Sequence, residues 1–389
     1  MMKKYLWSFA LSAVVMAGCG KKEEPPAPVA APVASAPASA PAPAPAEEKV
    51  LNIYNWPDYV PEGMIAAFEK ETGIKVNYDT FETNEALHAK LVAGNTGYDI
   101  VVPGSVFAKP QIEGGMFQPL DKSKIKNLAN LDPAIMGTLA KNTDPDNKHL
   151  VPWAWGFTTV GINKTKVAKA LGKMPMPENA WDLVFKPEYT AKLKSCGIAY
   201  LDSPTEIIPV ALHYIGKDAY SNDPADYKLA ADMLAKVRKD VRLFSSTMID
   251  DIAGGKACVA IGWSGDINIA AGRAVENKSK DVIESLLPST GALIFFDTMA
   301  ITKDAKHPNN AAAFIDFYLR AENAALMTNT MNYPTANKAA VEKIKPEIAG
   351  NKTIFVEADY FAKMIPPSSF SNEAREAMAT VFNGFKKGK

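Results

Sequence analysis

Between Lys49 and Val102 the chain alternates apolar runs with amphipathic ones, and this alternation restricts the fold more than any other feature. Leu51–Tyr54 reads as a strand. Pro61–Thr72 reads as a helix: Met64, Ile65 and Phe68 share a face, Pro61 sits near the start and Gly73 follows the end. Lys75–Phe81 reads as a second strand, and Asn84–Ala93 as a second helix with Leu87 and Leu91 one turn apart. Tyr98–Val102 is a third, apolar strand closed by Pro103-Gly104. Strand–helix–strand–helix–strand within about 55 residues is the pattern of a parallel α/β sheet. Parallel sheets hold ligands at the carboxyl ends of their strands. Two conspicuous stretches, "IYNWPDY" (53–59) and "VVPGSVF" (101–107), lie at such ends.

The pattern continues. "GIAYLDSPTEI" (197–207) runs from a strand into a helix start, "ACVAIGWSGD" (257–266) reads as a further strand, and so does "GALIFFDTMAIT" (291–302). Helical stretches follow at Asn309–Leu319 and Ala321–Thr328. A chain of 389 residues exceeds what one compact core usually holds, so two lobes are expected.

The amino-terminal residues follow different rules. A basic start (Met1–Lys4), a short apolar run (Tyr5–Gly18) and small residues before Cys19 read as a secretory signal over residues 1–18. The run is too short to span a bilayer comfortably. Met16-Ala17-Gly18-Cys19 resembles a bacterial lipobox, and by that resemblance Cys19 becomes a lipidated amino terminus; an ordinary signal peptide is the alternative. Residues 19–47 are rich in Ala and Pro, cannot bury a core, and read as a semi-rigid tether. The other two cysteines, Cys196 and Cys258, lie 62 residues apart. In an exported protein such a pair is a disulfide candidate, the alternative being two buried thiols.

Several function classes are excluded or disfavoured. Lys+Arg and Asp+Glu are equal at 43 each, and a neutral chain without a basic patch argues against nucleic acid. No HExxH, Walker A or GxGxxG motif occurs, and "GWSGD" lacks the nucleophile-elbow spacing. The four histidines (His88, His149, His213, His307) have no metal-ligand spacing. No cofactor is called for.

What recurs is an aromatic residue beside a carboxylate at a strand end: Trp56, Asp58 and Tyr59; Trp263 and Asp266; Phe295, Phe296 and Asp297. Glu206 follows another strand. Each instance alone has a structural explanation. An aromatic after a strand is usually core and an Asp usually a turn or cap. Ser203-Pro204-Thr205-Glu206 fits a capping box as well as a binding site. Together they suit an organic cation. Primary ammonium groups need carboxylates when desolvated, and methylene chains need apolar walls whose ring faces attract the charge.

From about Val50 onward the chain resembles the bacterial periplasmic polyamine-binding proteins of ABC importers. The resemblance is carried in order by "LNIYNWPDYVPEGMIAAFEKETGIKV", "LVAGNTGYDIVVPGSVF", "FQPLDKSKI", "NTDPDNKHLVPWAWG", "LKSCGIAYLDSP", "CVAIGWSGD", "FFDTMAI" and "YPTANKAA". It implies an α/β fold of two lobes, a type II periplasmic binding protein. Each lobe is then a mixed, mainly parallel sheet flanked by helices, with the ligand in the cleft between them. Lobe boundaries follow at 48–155 with 297–335, and 156–296 with 336–389. It implies an aromatic box of Trp56, Tyr59, Trp263, Phe295 and Tyr333, and acids Asp58, Glu206, Asp266 and Asp297. Asp297 is expected to grip one ammonium and Asp266 the other end. It also implies a Cys196–Cys258 disulfide, a monomer, and delivery to a membrane permease.

In this family spermidine-preferring members tend to carry Glu, Ser and Trp where this chain has Asp58, Asp266 and Phe295. The resemblance is therefore to putrescine-preferring proteins, acting in the periplasm without catalysis. Pro57, Gly104 and Val106 depart from the family's usual hydroxyl-bearing choices. Competing readings are another cationic solute (spermidine, agmatine, cadaverine), an amino acid, a polyamine-sensing or adhesion lipoprotein without a transport role, and a glycosidase-like enzyme using two carboxylates. An amino acid would need an arginine for its carboxylate, and none stands beside these motifs.

Overall fold

A computed structural model describes residues 47–57 and 59–388. The expected signal sequence, Cys19, the expected tether up to residue 46, and Asp58 lie outside the described residues. Glu47 is already part of the body: its carboxylate accepts the backbone N–H groups of Asn309 and Asn310 at the start of the helix Pro308–Tyr318. A carboxylate there meets the unpaired amides of a helix N-terminus.

Nine strands are found among the described residues: β1 Val50–Asn55, β2 Lys75–Thr80, β3 Ile100–Val101, β4 Leu150–Asn163, β5 Ile198–Tyr200, β6 Leu243–Phe244, β7 Val259–Trp263, β8 Ile283–Ser285 and β9 Leu293–Ile301. Their order is β2-β1-β3-β9-β4-β7-β5-β6, with β8 paired to β4. Both flanks are parallel: β1 pairs with β2 and β3, and β5 with β6 and β7. Between them run β4 and β9, antiparallel to each other and to their flanking neighbours. The first flank keeps the expected strand–helix alternation, with helices Met64–Thr72 and Asn84–Ala93. The first helix begins at Met64 and not at Pro61, because Gly63 takes a left-handed φ of 81° that a helix cannot contain.

β4 joins the flanks. It pairs with β9 over Leu150–Thr158, then with β7 over Thr158–Ile162. All fourteen of its residues are buried. A strand covered on both faces has no polar alternation, so periodicity does not announce it. Pro152 is tolerated within it beside an irregularity in the β9 pairing.

Each flank has its own apolar cluster. Phe68, Phe314, Trp153 and Tyr318 centre the one around β1–β3. Trp181, Phe185, Tyr200 and Ile208 centre the one around β5–β7. A third cluster, with Phe157, Phe296 and Trp155, lies along β4 and β9. The Cys196–Cys258 disulfide is formed and ties the approach to β5 to the start of the neighbouring β7. Closing a loop of that length contributes roughly 4 kcal/mol on the chain-entropy argument.

Candidate ligand-binding site

The carboxyl ends of six strands open on one cavity of about 350 Å³. Trp56 and Pro57 follow β1, Glu82 and Asn84 follow β2, and Gly104 to Phe107 follow β3. Thr205 and Glu206 follow β5, Ser246 and Thr247 follow β6, and Trp263 and Asp266 close β7. Phe295 and Asp297 enter from within β9, and Tyr333 from the loop after the helix Ala321–Met331. Every residue expected in the aromatic box, and every expected acid among the described residues, lines this cavity.

Asp297 is the most enclosed acid, only 7% exposed. Tyr59 donates its phenol to it at 2.7 Å. Burial raises the Asp297 carboxyl to about 7; the Tyr59 hydrogen bond opposes the rise, and the charges of Glu206 and Asp266 add to it. Tyr59 stacks on Trp153, which stacks on Tyr318, so the acid's partner is fixed by a column of rings. Burial beside these acids also pushes the phenols of Tyr59 and Tyr333 well above their ordinary range.

At the other side Tyr333 donates to Asp266 at 2.7 Å, and the Tyr59 and Tyr333 rings meet edge to face at 5.4 Å. Tyr333 sits where two glycines leave room. A Cβ at Gly265 would stand 2.2 Å from its ring, and one at Gly156 would crowd both it and Phe295. Glu206 does not close a capping box. Ser203 holds the N-cap position without a side-chain cap bond, and the Glu206 carboxylate instead accepts Thr158 Oγ1 at 2.6 Å. Burial raises Glu206 to about 7, against hydrogen bonds from Thr158 and Trp263.

Trp56 is fixed by its indole N–H to the Val102 carbonyl at 3.0 Å and packs against Phe81 and Trp263. Gly104 serves a close approach. Its N–H donates to Asn84 Oδ1 at 2.9 Å, and a Cβ there would meet the same amide at 2.9 Å. Sequence reading missed Glu82, Asn84, Ser246, Thr247, Asp250 and Arg273, all of which line the cavity. The first four could have been found by extending the strand-end rule to β2 and β6. Arg273 corrects the expectation that no arginine stands near the site; it donates to Asp250 at 2.7 Å. Among the described residues no group of three or more His, Cys, Asp or Glu side chains is placed to hold a metal.

Acids clustered in a ring-lined cavity at strand carboxyl ends describe a site that captures a solute. The model of the bacterial extracellular solute-binding proteins matches residues 63–356. This chain belongs to that family. The solute-binding protein is 46% identical over 320 residues to the putrescine-binding periplasmic protein PotF of Escherichia coli (strain K12), covering 82% of this chain and 86% of that one. It is 43% identical over 344 residues to the putrescine-binding periplasmic protein SpuD of Pseudomonas aeruginosa (strain UCBPP-PA14), covering 88% and 93%. Among solved structures it is similar to a spermidine/putrescine ABC transporter protein from Listeria monocytogenes, with a TM-score of 0.77, 31% identity and coverage of 88% and 100%.

Proposed function

We propose that this solute-binding protein captures putrescine in the periplasm and delivers it to the permease of an ABC importer. The observation that carries the reading is the set of buried, ring-enclosed carboxyls. Asp297 and Glu206 are both held near 7 by burial, and Asp266 stands beside them. Such a cluster is costly without a cation, because buried charge must be paired. A short diamine supplies two ammonium groups for the acids and four methylenes for the rings. The relatives named putrescine-binding support the same assignment.

In this reading Trp56, Tyr59, Trp263, Phe295 and Tyr333 wall the ligand. Asp297 grips one ammonium, Asp266 serves the other end, and Asp58 and Glu206 reach the ligand directly or through water. The two lobes, 48–155 with 297–335 and 156–296 with 336–389, close on the ligand, and the closed population is what the permease recognises. Binding involves no bond making or breaking. The protein works as a monomer, held to the membrane through Cys19 and the 19–47 tether. Replacing Cys19 by Ser should release it from the membrane fraction.

The test is calorimetric titration of the purified protein with putrescine and spermidine in parallel. Tight putrescine and weaker spermidine are expected. Silence with both would overturn the reading.

A further inference from the structure

The helix Ser264–Glu276 lies along the cavity and presents to it Asp266, Ile269 and Arg273. Their spacing of three and four places them on one helical face. The order is acid, apolar residue, cation. At 1.5 Å per residue, Arg273 lies about 10 Å along the axis from Asp266. Arg273 is the one cationic side chain among the described residues lining the cavity, and Asp250 fixes it there. Asp250 stands on the helix Met248–Ala253, just after Ser246 and Thr247, so a formed, partly exposed ion pair lines the cavity on this side.

We propose that Arg273 is a length stop, a specificity-determining residue that admits a diamine and rejects a linear triamine. The proposal rests on the putrescine reading above. With one ammonium at Asp266, a further three-carbon arm carries its terminal nitrogen about 5 Å onward, taking bonds of about 1.5 Å. That nitrogen arrives over Ile269, which offers no hydrogen-bond acceptor, and approaches a guanidinium of its own charge. Asp250 compensates little, because its charge is already paired with Arg273 and its side chain is 66% exposed to water. Among the described residues the other exposed acid lining the cavity, Glu82, follows β2 at the opposite edge of the sheet. A diamine never reaches this stretch. Discrimination of this kind works by placing a repulsive group against the wrong ligand.

The test compares putrescine and spermidine affinities, measured calorimetrically on the full chain, for the parent, Arg273→Gln and Arg273→Lys. Arg273 is on the helix surface, so both variants should fold; thermal unfolding confirms it. Arg273→Gln removes the cation and frees the Asp250 carboxylate. It should raise spermidine affinity relative to putrescine at least tenfold, while Arg273→Lys keeps the parent ratio within threefold. An unchanged ratio in Arg273→Gln overturns the stop. So does a lysine variant that behaves like the glutamine one, since shape and not charge would then decide. A parent that binds spermidine as tightly as putrescine also overturns it, but leaves polyamine capture standing. A parent that binds neither overturns the capture reading, and this proposal with it.

Discussion

Asp297 and Asp250 face the same cavity and live by different rules. Asp297 is almost fully enclosed, its partners are a neutral phenol and two nearby acids, and burial holds its carboxyl near 7. Asp250 has a side chain 66% exposed and a complete ion pair with Arg273 at 2.7 Å. The inner acid is short of positive charge and the outer one is not. On the proposed reading, the contrast separates a carboxylate kept for a ligand from one already neutralised by the protein itself. An exposed ion pair contributes little to stability, whereas a buried acid without a counter-charge is costly until a cation arrives.

The comparison breaks most visibly at the inner acid. Asp297→Asn should fold as the parent does and lose about 2–5 kcal/mol of putrescine binding, the cost of removing one partner of a buried charge pair. Unaltered calorimetric affinity would show that the ligand ignores this carboxylate. Next comes the wall. Gly265→Ala places a methyl against the Tyr333 ring and should cost about 1–3 kcal/mol of affinity, since inserted carbons in a packed site force displacement. A variant that binds normally would mean Tyr333 yields freely.

Acidity sharpens the same contrast. A bound diammonium needs Asp297 and Glu206 ionised, yet both sit at about 7 without it. Putrescine affinity should level off at alkaline pH and fall below about pH 7, by up to about tenfold per pH unit for each proton that must leave. The stability of the unliganded protein runs the other way. Both carboxyls are raised in the folded state, so between about pH 4 and 7 the folded form holds more protons than the unfolded one. That part of the stability is present at low pH and lost as pH rises through 7. Thermal unfolding at about pH 5.5 and 8, with and without putrescine, should show a larger ligand-induced shift at the higher pH. The smallest effect belongs to the outer acid. Asp250→Asn should change unfolding stability by less than about 0.5 kcal/mol in denaturant titration.

Much of the site was legible because one rule applied repeatedly. Apolar runs ending in an aromatic and an acid marked β1, β7 and β9, and a strand before Glu206 marked β5. Seven of those nine residues line the cavity, Phe296 is buried in the core instead, and Asp58 lies outside the described residues; Tyr333, which also lines the cavity, was implied by the family resemblance and not by this rule. Glu206 shows where the rule ran short. Its spacing from Ser203 fits a cap as well as a site, and only the approach of Thr158 from β4 decided that the carboxylate turns inward. β4 itself escaped notice because burial on both faces erased its pattern. Arg273 escaped because helical spacing, not strand-end position, brings it to the cavity.

The sequence by itself determined the local matters: strand and helix alternation, the acid–aromatic pairs and the cysteine pair. These follow from side-chain period and chemistry over a few residues. Only the tertiary structure decided which acids are enclosed and which are paired. Enclosure depends on groups far apart in the chain, such as Tyr59 meeting Asp297 across 238 residues. Solvation and charge pairing are properties of a three-dimensional neighbourhood, and no local run of residues carries them.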